Sequence, residues 1–357
     1  MLKNAPSFKF YLKVLTHLVP IDLRFQGVQL LVKAVRIHKF GGPEVLKYED
    51  VKIGKPGPGE IRLRQTAIGV NYNEVLLRAG EGSFASDQFP LTLGREAVGI
   101  IEEVGWGVNG LNVGQRVAYG FGGFGGYTES RLIDAEKVIV VPDSIDDKTT
   151  AAMMVKGMTA QYLLCRAYNV QKGDSILIHA AAGGVGTIMC QWAKHLGARV
   201  IGTISSDKKA EIAKLNGCDF PINYKNENVA ERVLEITNGE GVQAVYDPVG
   251  RDTFDISIAS LRPLGHLISY GDISGKLDPI EPSVLMTKGS LSFRRTSLRH
   301  FITPRKALEA TAAELFDMVE KENIKIRVNQ IYPLSDTHLA HRDLERGKNI
   351  GSTILLP

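Results

Sequence analysis

The chain has 357 residues, of which 44% are hydrophobic and 23% are charged, so it is long enough for two domains and has the composition of a soluble globular protein. Its net charge of +4 is spread along the sequence without a basic tract, which argues against nucleic acid as a partner. The spacings of Cys165, Cys190 and Cys218 fit neither a disulfide framework nor a zinc site, which favours a reducing, cytoplasmic location.

Residues 1–31 form an N-terminal extension that is basic and partly apolar. Lys13 and Asp22 interrupt its apolar residues and Pro20 would break a helix, so the extension resembles neither a membrane span nor a secretory signal. We expect the folded part to begin at Val32. One hypothesis is that Val32 is the true translation start and that the extension is not native. The rival interpretation is a targeting or membrane-surface helix.

Residues 32–150 are predicted to form a compact β-barrel or sandwich. Clusters of glycine and proline separate short segments of alternating polarity, which is typical of such folds. The predicted strands include Ala34–Ile37, Glu60–Gly69, Ala97–Val104, Arg116–Tyr119 and Thr128–Ile133. The glycine-rich segment Gly120–Gly126 is predicted to move when the protein closes over a substrate.

Residues 151–300 alternate between helical and strand patterns, which predicts a doubly wound parallel sheet. The first helix is predicted over Ala151–Tyr168. The later strands are predicted at Ala198–Ser205, Phe220–Asn223, Ala244–Tyr246, Gly265–Ser269 and Leu291–Phe293, and the later helices at Lys208–Asn216, Asn228–Thr237 and Arg251–Leu261. Residues 301–357 contain a predicted helix, Thr303–Lys321, and two strands, Arg327–Pro333 and Ser352–Leu356, that we expect to rejoin the first domain.

The most informative segment runs from Ser175 to Leu196 and is predicted to form a buried strand, a glycine turn and an amphipathic helix. Ala181, Gly183 and Gly186 hold the three small-residue positions of the dinucleotide-binding fingerprint. A small first residue permits the tight turn, the middle glycine admits a pyrophosphate, and the last lets the helix pack on the strand. The phosphates are expected to bind the free N–H groups of the helix N-terminus.

The strand after this helix does not end in the Asp or Glu that would bind the ribose of NAD. It is followed by hydroxyl and ammonium groups, in the order Ser205, Ser206, Asp207, Lys208, Lys209. These groups suit the 2′-phosphate of NADP, and one charge-assisted hydrogen bond contributes roughly 1.5–3 kcal/mol. We therefore predict NADP(H), with Asp207 pointing to solvent. The alternative is that the two lysines only begin a solvated helix.

Five segments occur in a consistent order: Gly41–Leu46, Gly69–Glu74, Lys156–Ala160, His179–Gly186 and Val245–Gly250. Together they resemble the zinc-free quinone oxidoreductases (the zeta-crystallin type) of the medium-chain dehydrogenase/reductase superfamily, over Val32 to Pro357. The resemblance implies a GroES-like β-barrel catalytic domain and a Rossmann domain, with the coenzyme in the cleft between them.

The resemblance also implies the site residues. Asn71 and Tyr72 follow a barrel strand, where they are expected to contact coenzyme or substrate and to donate hydrogen bonds to a developing oxyanion. Recognition of the adenosine phosphate falls on Ser206, Lys209 and Tyr224. The other expected coenzyme contacts are Thr159, Gly183, Gly184, Val185, Gly186, Ser205, Val249, Tyr270, Gly271, Asp272, Thr296, Ser297, Leu298 and either Lys348 or Arg346. Ordinary turn or strand-end roles remain open for Asn71, Tyr224, Gly271 and Asp272.

The segments that resemble the zinc ligands of metal-dependent relatives are Val70–Asn73 and Gly94–Glu96, and neither contains cysteine or histidine. We therefore expect no metal, and expect Glu96 to be a structural carboxylate paired with Arg95 or a barrel amide. Without a Lewis acid, acceptors that are already electrophilic are favoured, with hydride passing directly from the nicotinamide.

The leading hypothesis is therefore an NADPH:quinone oxidoreductase. One alternative is an NADPH-dependent enone, 2-alkenal or enoyl reductase, and another is a non-catalytic NADPH-binding protein of the crystallin or RNA-interacting kind. Phe84, Tyr119 and Phe121 are expected to line an aromatic acceptor site, unless they are core residues. We expect a homodimer through edge strands near Leu264–Ser269 and Leu291–Arg294.

Overall fold

The computed structural model describes residues 30–81 and 88–357. The predictions for the N-terminal extension up to residue 29, and for Phe84, lie outside the described residues. Within the described part, no helix is both long enough and apolar enough to cross a membrane.

The N-terminal part of the chain forms two antiparallel sheets that enclose an apolar core. The strands are β1 (Leu30–Ile37), β2 (Lys47–Ile53), β3 (Glu60–Val70), β4 (Leu91–Thr92), β5 (Glu96–Val104), β6 (Arg116–Gly120), β7 (Ser130–Asp134) and β8 (Ile139–Val140). One short helix, α1 (Tyr72–Ala79), follows β3. Alternate side chains of β3, among them Ile61 and Leu63, point into the core, as expected for strands with one buried face.

The middle of the chain forms a six-stranded, wholly parallel sheet of the doubly wound kind. Its elements are α2 (Asp147–Tyr162), β9 (Ser175–Ile178), α3 (Gly184–His195), β10 (Arg199–Ile204), α4 (Asp207–Leu215), β11 (Phe220–Asn223), α5 (Val229–Ile236), β12 (Val242–Asp247), α6 (Phe254–Ala259), β13 (Leu261–Ser269), α7 (Pro282–Thr287) and β14 (Ser292–Arg295). The strand order is β11-β10-β9-β12-β13-β14, so the chain reverses direction next to β9. Ligands bind such sheets at this reversal, beyond the carboxyl ends of the strands.

The C-terminal segment returns to the antiparallel sheets. It contains α8 (Leu298–Ile302), α9 (Arg305–Glu320), β15 (Val328–Pro333), α10 (Thr337–Glu345) and β16 (Ser352–Leu356). β16 pairs antiparallel with β3, with Thr353 opposite Val70, and parallel with β15. The last strand of the chain therefore extends the sheet that β3 begins.

Helix α2 lies between the antiparallel and the parallel sheets. Its buried residues share one apolar cluster with Ala67 and Val98 of the antiparallel strands and with Ile176 of the parallel sheet. Because the helix is buried on nearly all sides, its apolar residues show no single stripe. The predicted fold class, a β-barrel domain combined with a doubly wound parallel sheet, is confirmed.

Three details differ from the sequence-based expectations. Helix α2 begins at Asp147 rather than at Ala151, because the Asp146 carboxylate caps it by accepting a hydrogen bond from the Thr149 N–H at 2.9 Å. It ends at Tyr162 and continues as a π-helical segment, Leu163–Ala167. The expected helix over 251–261 is a 3₁₀ turn followed by the six-residue α6.

Candidate active site

A cleft of about 530 Å³ lies between the antiparallel sheets and the parallel sheet. Its walls come from the end of β3 and the start of α1, from α2, from the β9–α3 turn, and from the segments that follow β13 and β14. Because these walls belong to distant parts of the sequence, only the folded chain assembles the cleft. Its size suits an extended cofactor together with a small molecule.

The N-terminus of α3 opens into this cleft. Gly183 precedes the helix in an extended conformation and has no side chain to cap it. The first N–H groups of a helix have no acceptor within the helix, and here they belong to Gly184, Val185 and Gly186, which line the cleft. A Cβ atom on Gly186 would lie 2.3 Å from the carbonyl oxygen of Ala180, so only glycine lets the helix start this close to the strand. The turn therefore fits the pyrophosphate of a dinucleotide.

A buried carboxylate joins the two sides of the cleft. Glu96, at the start of β5, is fully buried, and its Oε1 accepts hydrogen bonds from Asn71 Nδ2 at 2.8 Å and from Lys156 Nζ at 2.9 Å. Its Oε2 accepts from the Val155 N–H at 2.6 Å. Glu96 was expected to pair with Arg95 or a barrel amide, and the expectation of Arg95 is wrong. The Arg95 guanidinium instead lies over the rings of Phe121 and Phe124.

A second buried carboxylate lies behind the first. The Glu74 Oε2 accepts a hydrogen bond from the backbone N–H of Asn71 at 2.8 Å, which fixes the start of α1. Burial raises the pKa of Glu74 to about 7, and the nearby Arg95 opposes this rise. Asn71 is thus held by a carboxylate on its backbone and by another on its side chain. One of its two amide N–H donors is already used by Glu96, which leaves one for a ligand.

Cationic and hydroxyl groups meet beyond the end of β10. Ser206 caps α4, its hydroxyl accepting a hydrogen bond from the Lys209 N–H at 3.4 Å. Burial, and secondarily the charge of Lys225, lowers the pKa of the Lys209 ammonium. Tyr224, beside Lys225, is half exposed. Lys225 had not been singled out from the sequence, although its position directly after Tyr224 was a usable signal.

The opposite wall of the cleft is formed after β13 and β14. Tyr270, Gly271 and Asp272 follow β13, and Arg295 ends β14. Arg295 donates hydrogen bonds to the Gly271 carbonyl oxygen at 2.8 Å and to the Asp272 carboxylate, so it ties the two segments together. The hydroxyl groups of Tyr162 and Thr296 are 3.2 Å apart.

Thirteen of the expected site residues line this one cleft. They are Asn71, Tyr72, Thr159, Gly183, Gly184, Val185, Gly186, Tyr270, Gly271, Asp272, Thr296, Ser297 and Leu298. Ser205, Ser206, Lys209 and Tyr224 lie outside it, at or beyond the end of β10. Val249 and Lys348 do not line it either. The Val249 N–H donates to Asp247 Oδ1 at 2.7 Å, and Lys348 is exposed.

The expected aromatic acceptor site is correct only in part. Phe121 lines the cleft, but the prediction for Tyr119 is wrong, because Tyr119 is fully buried and its hydroxyl donates to Gln65 Oε1 at 2.6 Å. Successive residues of a strand point to opposite faces, so Tyr119 belongs to the core of the antiparallel sheets. Lys156 was missed as a site residue. Its spacing of three residues from Thr159 on one helix was the available signal.

Within residues 30–81 and 88–357, no three His, Cys, Asp or Glu side chains converge in the manner of a metal site. The carboxylate nearest the cleft, Glu96, is already bound by an ammonium, an amide and a backbone N–H. The absence of zinc was argued from residue types and stays a prediction.

Two families of known proteins match the chain in succession. Residues 57–175 match the family described as the alcohol dehydrogenase GroES-like domain, and residues 184–319 match the family described as zinc-binding dehydrogenase. Among curated proteins, the chain is 42% identical to a quinone oxidoreductase of Pseudomonas aeruginosa over 327 residues, which covers 92% of this chain and 100% of that protein. It is 45% identical to a 2-haloacrylate reductase of Burkholderia over 331 residues, covering 92% and 99%.

The fold is also found among solved structures. The quinone oxidoreductase of Escherichia coli complexed with NADPH superposes with a TM-score of 0.89 at 40% identity, over 91% of this chain and 100% of that one. The similarity therefore extends over both sheets and the cleft between them.

Proposed function

Since the chain belongs to the quinone oxidoreductase family of the medium-chain dehydrogenase/reductase superfamily, we propose that it reduces quinones with NADPH. One observation carries this proposal. The uncapped N-terminus of α3, which suits a pyrophosphate, opens into the same cleft as Asn71, Tyr72 and Thr159. That arrangement brings a dinucleotide and a small acceptor into one space.

The residues of the cleft fit NADPH. Gly184, Val185 and Gly186 would hold the pyrophosphate with backbone N–H groups, and Ser206 with Lys209 would hold the 2′-phosphate. When bound, the coenzyme supplies the hydride and the two electrons of the reduction. The chain's contribution is to hold the two reactants in a fixed orientation, which by itself can supply most of the rate enhancement.

The acceptor end of the cleft offers a flat apolar wall. Phe121 and Tyr72 are half-buried and Leu298 is almost fully buried, and all three line the cleft. A quinone is planar and can stack on such rings. The hydroxyl of Thr159 and the remaining amide N–H of Asn71 supply polar contacts for its oxygen atoms.

A second candidate function is reduction of a conjugated double bond. The observation that favours it is the 45% identity to a 2-haloacrylate reductase, which is as high as the similarity to the quinone reductases. Function within one fold depends on the pocket, so the fold and the coenzyme residues do not separate the two activities. A third candidate, a non-catalytic NADPH-binding protein, has no specific support.

One panel of assays tests these candidates. NADPH oxidation is followed with 1,4-benzoquinone, 9,10-phenanthrenequinone, a 2-alkenal and 2-chloroacrylate. We expect turnover with the quinones. Turnover restricted to the alkenal or the chloroacrylate would assign the second function, and coenzyme binding without turnover on any acceptor would assign the third.

We also propose a homodimer formed through β14 and a cytoplasmic location. β14 is an edge of the parallel sheet, and an exposed edge can pair with a second copy. The expectation that Leu264–Ser269 takes part is wrong, since residues 266–269 of β13 already pair with β14. The location is supported by three cysteines that are all free, and cell fractionation tests it. The domain limits 32–150, 151–300 and 301–357 likewise remain a proposal.

A further inference from the structure

Lys156 is a nearly buried cation on the wall of the cleft. It is 5% exposed, and with Val155, Thr159 and Tyr162 it forms the face of α2 that lines the cleft. Residues three apart on a helix lie on one face, so the Lys156 ammonium and the Thr159 hydroxyl point to the same side. A buried lysine costs free energy unless its charge has a function or a partner.

The position of Lys156 lies between the coenzyme turn and the aromatic wall. A Cβ atom built on Gly184 would lie 2.9 Å from Lys156 Cδ, so the lysine stem covers the first turn of α3. On the other side, a Cβ atom built on Gly120 would lie 3.3 Å from the Val155 nitrogen, which places the neighbouring Phe121 beside this part of α2. The ammonium is thus located where the nicotinamide end of a coenzyme and an acceptor would meet.

The hydrogen bonds of Lys156 leave part of its capacity unused. An ammonium has three N–H donors, and in the described residues Lys156 Nζ donates only to Glu96 Oε1, at 2.9 Å. Glu96 is held by Asn71 and by the Val155 N–H, so its position is set independently of the lysine. Two N–H donors of a cation that is almost completely buried therefore remain for a ligand in the cleft.

We propose that the Lys156 ammonium, positioned by Glu96, stabilises the negative charge that forms on the acceptor oxygen during reduction. This inference rests on the proposed function. The acceptor gains a hydride, its carbonyl electron pair moves onto oxygen, and NADPH becomes NADP⁺. The resulting hydroquinone anion takes its proton from water, and Lys156 keeps its own. A fixed donor in a site of low dielectric constant stabilises such an anion far better than water does.

The test uses variants that separate the charge of Lys156 from its stem. Lys156→Met keeps the stem over Gly184 and removes the ammonium, but leaves the buried Glu96 carboxylate without its cation. The double variant Lys156→Met/Glu96→Gln removes both charges and avoids this penalty. Lys321→Met is the matched control, because Lys321 also pairs with a carboxylate, that of Asp317, but on the exposed face of α9.

The readout that a structural role would not change is the ionisation of a bound phenol. 4-Nitrophenol, added to the protein with NADP⁺, mimics the hydroquinone anion, and its absorbance reports its pKa. We expect wild type and Lys321→Met to lower that pKa. The double variant should raise it by about one unit relative to wild type, a tenfold change equivalent to about 1.4 kcal/mol. It should also lower kcat with 1,4-benzoquinone at least tenfold and leave the NADPH Kd within about threefold.

Two results would overturn the inference. An unchanged phenol pKa with a tenfold weaker NADPH Kd would make Lys156 a coenzyme ligand. No change in either quantity would make the ion pair structural. Because the phenol measurement needs no turnover, it remains decisive even if the wild-type protein reduces no quinone, a failure that would count against the proposed function instead.

Discussion

At the scale of single residues, Lys209 decides the choice of coenzyme. Burial and the neighbouring Lys225 lower the pKa of its ammonium, so a positive charge is kept there at a cost that an anionic ligand would offset. We expect Lys209→Ala to weaken NADPH binding at least tenfold, since one charge-assisted hydrogen bond contributes roughly 1.5–3 kcal/mol. NADH binding should be nearly unchanged.

Fluorescence titration with both coenzymes measures this. Lys208→Ala is the matched control, because Lys208 is the exposed neighbour of Lys209 on the same helix. Equal losses of affinity for NADPH and NADH would remove Lys209 from the phosphate site.

His341 shows how a buried residue sets the acid limit of stability. Its Nδ1 accepts a hydrogen bond from Arg78 Nη1 at 3.3 Å, because a guanidinium can only donate, and its Nε2–H then donates to the Tyr127 hydroxyl at 3.0 Å. Burial, and then the charge of Arg78, lowers the pKa of His341 to about 3. The imidazole is therefore neutral in the folded protein wherever the unfolded chain would bind a proton.

We expect this histidine to destabilise the fold as the pH falls from about 6.5 towards 3. In that window the unfolded state binds a proton that the folded state refuses, so the free energy of unfolding decreases by up to about 1.4 kcal/mol per pH unit. The glutamine variant His341→Gln can accept from Arg78 and donate to Tyr127 without titrating. Urea unfolding at pH 7 and pH 5 should show a smaller loss of stability for the variant. Parallel losses in both proteins would contradict the prediction.

At the scale of elements, the β9–α3 turn separates stability from binding. A Cβ atom on Gly186 would lie 2.3 Å from the backbone oxygen of Ala180, whereas one on Gly183 would have its nearest atom at 3.2 Å. We expect Gly186→Ala to destabilise the protein by about 1–3 kcal/mol, because the helix must move off the strand. Gly183→Ala should change stability little and weaken coenzyme binding, because the methyl group would stand where the pyrophosphate approaches the backbone.

Urea unfolding and coenzyme titration of both variants check this pair. If Gly183→Ala were the less stable of the two, the packing argument for Gly186 would be wrong.

The elements themselves were largely predictable from sequence. The strands of the parallel sheet were expected at nearly their observed positions, because fully buried strands are continuous apolar runs bounded by turn residues. The ends of helices were less predictable. Asp146 extends α2 beyond the expected Ala151 through a cap, and the π-helical segment after Tyr162 leaves no periodic signal.

At the scale of the whole molecule, β14 is the surface for self-association. It is the outermost strand next to β13, and pairing with a second β14 would continue the parallel sheet across the dimer. We expect sedimentation at twice the chain mass of 39.0 kDa at micromolar concentration. A monomer under these conditions would contradict the proposal.

The sequence by itself determined the dinucleotide turn at Ala181–Gly186, the family resemblance and the preference for NADP(H), because each depends on residue types within a short stretch of chain. Only the tertiary structure decided that Lys156 meets Glu96, sixty positions away, that Tyr119 is buried while Phe121 reaches the cleft, and that His341 lies against Arg78. Periodicity tells which face of an element is buried. It does not tell which distant side chains face each other, because that depends on how the elements pack.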